Sequence, residues 1–130
     1  MDVLVLAKVA AVMLLLDGIW IYLVTGNAFS SVIENIQGSA MKIRPVGAVV
    51  AYAAMILLFS QFTTKESSGW DVFLLGFLVY AIYDGTNYAL LDKYDLKTAI
   101  VDAVWGGCLF WMTSRLVYKS SNGLAALMKM

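Results

Sequence analysis

Three aspartates stand inside otherwise apolar stretches of the chain, at Asp17, Asp84 and Asp102. A carboxylate at the centre of a membrane helix costs about 2.5–3.5 kcal/mol on insertion scales, so such residues are rare and often form ion sites or proton relays. Carboxyl groups that share one site cannot all be ionised, and a shared proton is what a relay uses. These aspartates are therefore the first candidates for chemistry.

Each of the three aspartates is followed, three residues later, by a side chain with an N–H donor. The donors are Trp20, Asn87 and Trp105. Positions three apart lie on one face of a helix, so each acid and its donor share a stripe. We expect each donor to reach a carboxylate on a neighbouring helix, and Arg44 is a candidate charge partner near the same membrane face.

The composition of the chain indicates the environment in which the aspartates and their donors must be positioned. The chain of 130 residues is 62% hydrophobic and 14% charged, whereas soluble domains are about 45–50% apolar and about 25% charged. The excess apolar surface predicts contact with lipid. Lys+Arg 9 balances Asp+Glu 9, so no basic footprint for nucleic acid exists. There is no histidine, the commonest transition-metal ligand and general base near neutral pH.

Four apolar stretches reach, or nearly reach, the roughly 20 residues that a membrane-spanning helix needs. They cover residues 3–24, 46–62, 72–91 and 98–117. Backbone groups in lipid must pair within their own segment, so each stretch is expected to be a helix. The sequence thus predicts an all-α membrane protein, a four-transmembrane-helix bundle in one domain over residues 1–130. The first stretch is longer than the apolar region of a signal peptide, about 7–15 residues, and we interpret it as a span.

The depths of the three aspartates agree with one another in this arrangement. Asp17 and Asp84 lie about 10 Å before the ends of the first and third spans, and Asp102 lies about 6 Å into the fourth. Those ends lie on one face of the membrane. We therefore expect the three carboxyl groups to meet at a common level.

The segment between the first two spans contains Phe29, Val32, Ile33 and Ile36 at helical spacing. This pattern fits a short amphipathic helix in the membrane interface, and it fits equally an irregular loop packed on the bundle. Residues 120–130 are expected to add a turn or two on the surface. Basic residues number five on the side of the termini and four on the other, which is too even for the positive-inside rule to decide the orientation. Of the two orientations, we favour the one with both termini in the cytoplasm.

Small residues four positions apart form two ridges that would let helices approach closely. One ridge comprises Ala81, Gly85 and Ala89, and the other comprises Ala103 and Gly107.

Three ordered motifs carry a resemblance that covers nearly the whole chain. The segments LDGIW, YDGTNYALL and VDAVWGG are similar to the L-D-x-x-W, Y-D-x-T-N and D-x-x-W-G motifs of an uncharacterised family of small predicted membrane proteins, a domain of unknown function. The resemblance implies a four-helix membrane fold and no established activity. Gly85 stands where the family often has leucine. The signature positions that it carries over are Asp17, Trp20, Tyr83, Asp84, Thr86, Asn87, Asp102, Trp105 and Gly106.

The sequence leaves four interpretations of these polar residues open. A polar cluster can simply fix the register of a helix bundle. Alternatively, the three aspartates with Thr86 and Asn87 form a site for transport or conduction of a proton, a cation or a small solute. A chain this small would then need to form a homo-oligomer to enclose a full pathway.

The other two readings involve partners. The many aromatic and small residues suit an accessory or assembly subunit of a larger membrane complex in the lipid bilayer. A lipid-acting enzyme is less favoured: several carboxylates could hold a divalent cation such as Mg²⁺, but no nucleophile stands beside a base. No motif names a cofactor.

Overall fold

A computed structural model describes residues 2–118, and of residues 24–26 it describes the backbone alone. Within that range the chain is helical and contains no strand. The expected turns over residues 120–130 lie outside the described residues. The elements are α1 (Val3–Trp20), a π-helical turn (Ile21–Thr25), α2 (Gly26–Gln37), α3 (Pro45–Phe62), α4 (Gly69–Leu90) and α5 (Leu96–Tyr118).

Polar residues at the helix starts explain where the helices begin. The side chains of Asp2, Ser68 and Asp95 each accept a hydrogen bond from a backbone N–H in the first turn of α1, α4 and α5, at 2.9, 3.1 and 3.1 Å. Such caps satisfy amides that have no partner within the helix. Pro45 opens α3, where its missing N–H costs nothing.

Three of the described helices are long and apolar enough to cross a membrane: Val3–Leu23, which continues α1 into the π-helical turn, α3 and α5. Only 6% of the α3 stretch is buried inside the protein, against 44% of the α5 stretch. Large apolar side chains such as Val46, Val49 and Val50 are therefore exposed on α3. This surface is what a membrane protein offers to lipid, and the all-helical architecture agrees with the sequence prediction.

Helices α4 and α5 form the most closely packed pair, because glycines remove side chains from their contact. A Cβ on Gly76 would overlap the carbonyl oxygen of Gly106, and a Cβ on Gly107 would lie 2.6 Å from the Phe73 ring. Ala103 and Gly107 are buried there as expected. The ridge predicted on α4 is wrong, because Gly85 is exposed and a Cβ on it would meet nothing within 4 Å.

Apolar side chains join α1 and α3 to α5. Val9, Met13, Phe59, Leu109 and Phe110 are fully buried in one cluster. The Phe59 and Phe110 rings meet edge to face, with centroids 5.5 Å apart, an arrangement that aromatic pairs favour. This cluster lies toward the end of α3, so it leaves the other end of the bundle free to carry polar groups.

The segment after α1 is helical rather than an irregular loop. The chain passes through the π-helical turn into α2 without a non-helical residue. The apolar face of α2 includes Phe29, Val32 and Ile36. It packs against Tyr94, which precedes α5, and against Ala99 in the first turn of α5. Helix α2 therefore covers the end of the bundle at which α1 and α4 finish.

Candidate functional site

Asp17 joins three helices. It lies on α1 and is 6% exposed. Its Oδ1 accepts a hydrogen bond from Nε1 of Trp105 on α5 at 2.9 Å, and its Oδ2 accepts one from the hydroxyl of Tyr52 on α3. Hydrogen bonds to an ionised acceptor are about twice as strong as neutral ones. Both oxygens of Asp17 are thus held in position by neutral donors.

Asp84 is more deeply buried and less fully bonded. It lies on α4 and is 1% exposed. Its Oδ1 accepts a hydrogen bond from the Tyr94 hydroxyl at 2.8 Å, whereas its Oδ2 is buried with no partner among residues 2–118. Burial, followed by the hydrogen bond to Asp84, raises the pKa of Tyr94. Tyr94, in the connection between α4 and α5, therefore remains a donor at any ordinary pH.

The carboxyl group of Asp102 on α5 lies within hydrogen-bonding reach of Asp84. Two carboxyl groups can share a hydrogen bond only when one of them holds a proton, because an ionised carboxylate has no donor. A buried acceptor without a partner costs about 1–3 kcal/mol. Sharing one proton between Asp84 and Asp102 would relieve that cost and avoid two adjacent buried charges.

A cavity of about 500 Å³ opens beside Asp17 and Asp102. It lies among all five helices and the π-helical turn, with α3 and α4 supplying most of its wall. Its lining residues are Asp17, Trp20, Ile21, Phe29, Ala51, Tyr52, Ala54, Met55, Leu58, Val79, Tyr80, Tyr83 and Asp102.

A second, smaller cavity of about 230 Å³ lies between α4 and α5 and is lined by Asp84 and by Ala103. Asp84 does not line the larger cavity, and Asp102 does not line the smaller one. The two residues therefore line different spaces.

Of the three donors predicted for neighbouring carboxylates, Trp105 is the one that bonds to a carboxylate within residues 2–118. Trp20 stacks on Trp105 with centroids 4.4 Å apart and planes 2° from parallel, but its Nε1 is buried with no partner in the described part of the chain. The amide of Asn87 lies beside the hydroxyls of Tyr83 and Tyr94. Tyr83 and Thr86 are exposed, with the Tyr83 side chain on the larger cavity.

The sequence offered Arg44 as a charge partner for the aspartates, and the aspartates themselves as ligands of a metal ion. Arg44 is exposed before α3, where its side chain caps no backbone group, and the charges that bear on Asp102 are those of Asp84 and Asp17. Among the described residues, no group of three or more His, Cys, Asp or Glu is placed to hold a metal ion. The shared Mg²⁺ site considered for a lipid-acting enzyme thus has no support in the placement of these side chains.

Three tyrosines, Tyr52, Tyr80 and Tyr94, belong to the site and were missed by sequence reasoning. Tyr52 lies seven residues into α3 from the membrane face where α1 ends, the depth at which Asp17 lies. Tyr80 precedes Asp84 by about one turn and lies on the same helix face. If membrane depth and helix-face position had been considered for tyrosine as well as aspartate, Tyr52 and Tyr80 would have been predicted. Tyr94 stands in a loop, where helical periodicity gives no information about the position of a side chain.

Comparison with known proteins agrees with the helical, lipid-exposed architecture. No curated protein and no solved structure matches the chain. The model of a family described as predicted membrane protein (DUF2177) matches residues 3–118. The matched range contains every element described above and all three buried or half-buried aspartates, and the chain belongs to this family.

Proposed function

We propose that the protein is a four-span membrane protein that moves a proton, a cation or a small solute through an intramembrane carboxyl cluster. Helix α4 would be the fourth span. Its 22 residues extend for about 33 Å, enough for a hydrocarbon core of about 30 Å. Asp84 and Asn87 lower the hydropathy of α4, but Asp84 is buried against α5 and does not face lipid.

One observation carries the transport proposal: Asp84 and Asp102 lie within hydrogen-bonding reach while each lines a different cavity. A proton that passes from one carboxyl to the other would pass from one space to the other. Paired intramembrane carboxyls are the groups that proton relays use. A pair that only fixed helix register would have no need of a cavity on each side.

The charge balance around the cluster supports a cationic or protonic cargo. In the part of the chain that the structure describes, the residues that line the larger cavity include Asp17 and Asp102 and no lysine or arginine. Buried charge is costly unless it is paired. A proton or another cation entering the cavity would supply the missing positive charge.

The direct test is proton flux into liposomes that contain the purified protein and a pH-sensitive dye. We expect Asp84→Asn and Asp102→Asn each to reduce flux to the level of empty vesicles while the protein remains folded, as checked by thermal unfolding and gel filtration. Asp71→Asn is the matched control, because Asp71 is an exposed acid in the first turn of α4. Undiminished flux in both folded cluster variants would exclude the carboxyl pair as the pathway.

A further inference from the structure

The larger cavity is too big for a bare ion. Its volume is about 500 Å³, whereas one water molecule takes up about 30 Å³ of liquid. Small-molecule sites commonly measure about 300–1,000 Å³ and have apolar walls with a few placed polar groups. The dimensions therefore fit an organic molecule.

The polar groups of this cavity select for positive charge. Asp17 and Asp102 lie on its wall, and no basic side chain of the described residues does. The donors from Tyr52 and Trp105 hold Asp17 in place but are neutral. A ligand with a cationic head would compensate carboxylate charge that the protein itself leaves unpaired.

The rest of the wall suits such a head joined to an apolar body. Trp20, Phe29, Tyr80 and Tyr83 supply aromatic rings, and aromatic faces attract substituted ammonium groups. The Trp20 ring is fixed by stacking on Trp105. Its indole N–H is buried and has no acceptor within residues 2–118.

We propose that this cavity binds an organic ammonium ion with an apolar body, its cationic head beside Asp17 and Asp102 and its body against the aromatic wall. The inference rests on the proposed transport function and names the solute class. The cation and the proton on the Asp84–Asp102 pair would then compete, because each compensates the same carboxylate charge.

The test uses benzyltrimethylammonium and its neutral analogue neopentylbenzene, in which carbon replaces nitrogen. Binding to the full chain in mild detergent is followed by tryptophan fluorescence, with calorimetry as a second measurement. We expect the cation to bind at least about tenfold more tightly than the neutral analogue, a difference of about 1.4 kcal/mol. Asp17→Asn and Asp102→Asn should each remove most of that preference and leave binding of the neutral analogue unchanged.

A second pair of variants keeps the carboxyls intact. Ala54 lines the cavity and its neighbour Ala53 does not. Ala54→Phe should weaken binding of the cation at least about tenfold by filling the space, and Ala53→Phe should leave it unchanged. Equal affinity for the two probes, or equal effects of the two alanine substitutions, would overturn the proposal.

The outcome separates the two proposals. Proton flux that depends on Asp84, with no binding of the cation, would reject the ammonium site and leave the proposed function in place. Charge-selective binding without flux would keep the site and reject transport.

Discussion

The pair of α4 and α5 and the pair of α1 and α3 are held together in different ways. Gly76, Gly106 and Gly107 bring the backbones of α4 and α5 into contact, whereas α3 approaches mainly α1 and is tied by side chains such as Tyr52 and Phe59. Lipid provides no hydrophobic force between helices, so close packing and hydrogen bonds must hold them. The close pair carries Asp84 and Asp102 at adjacent positions, and the looser pair leaves room for the cavity.

The largest effect is expected from adding a methyl group at the close contact. Gly76→Ala would push a Cβ against the Gly106 carbonyl, and we expect a loss of about 2–3 kcal/mol of unfolding free energy. Gly85→Ala on the same helix meets no atom within 4 Å and should stabilise by up to about 1 kcal/mol through helix propensity. Unfolding in detergent compares the two, and similar losses would show that α4 and α5 are not in backbone contact.

The next effect contrasts the hydrogen bonds of the two carboxylates. Tyr94→Phe removes the donor seen on Asp84, and we expect a loss of about 2 kcal/mol. Tyr52→Phe leaves Asp17 with the Trp105 N–H and should cost about 1 kcal/mol. The same unfolding measurement applies, and an equal cost for both substitutions would mean that the second oxygen of Asp84 is already satisfied by another group.

A double-mutant cycle tests whether Tyr52 and Trp105 both donate to the Asp17 carboxylate. Tyr52→Phe and Trp105→Phe each leave this carboxylate with one donor, but together they leave it with neither of the bonds seen. The combined loss of unfolding free energy should exceed the sum of the single losses by about 1 kcal/mol, as for residues in one network. Strict additivity would indicate that the two donors do not share the carboxylate. Phenylalanine at position 105 keeps an aromatic ring against Trp20.

The smallest effect concerns the starts of α5 and α3. Hydrogen bonds from the Thr98 hydroxyl and then from the Thr98 N–H lower the pKa of Asp95, so the folded protein binds this proton less readily than the unfolded chain. The cap therefore stabilises α5 above about pH 4, and the contribution is lost as pH falls through the lowered pKa. Arg44, at the start of α3, makes no such bond.

Asp95→Asn tests this difference. Subtracting its unfolding free energy from that of the unmodified protein between pH 7 and pH 3 isolates the titration of this one carboxyl. The difference should shrink toward low pH, and a difference that is constant across the range would contradict the capping role.

Much of the architecture could be predicted because it depends on local properties. Apolar length and the requirement for internal backbone pairing define helices, and all four apolar stretches are helical here. The L-D-x-x-W and D-x-x-W-G spacings placed acid and donor on one helix face, and Trp105 does donate to Asp17. The choice between helix and loop for residues 26–37 was not determined, since a pattern of four apolar residues fits both.

The glycine contacts show where sequence reasoning failed. The spacing of small residues predicted that Gly85 contacts a neighbouring helix, but the glycine of α4 that contacts α5 is Gly76. Both are small residues on one helix, and only the rotation of α4 against its neighbour decides which of them is covered.

By itself the sequence determined that the chain forms apolar helices with acids inside them, because hydrophobicity and periodicity are properties of single segments. Tertiary structure alone decided that Tyr94 bonds to Asp84, that Tyr52 bonds to Asp17, and that Asp84 and Asp102 face separate cavities. Such facts depend on distances between helices far apart in the chain, and packing of whole surfaces sets those distances.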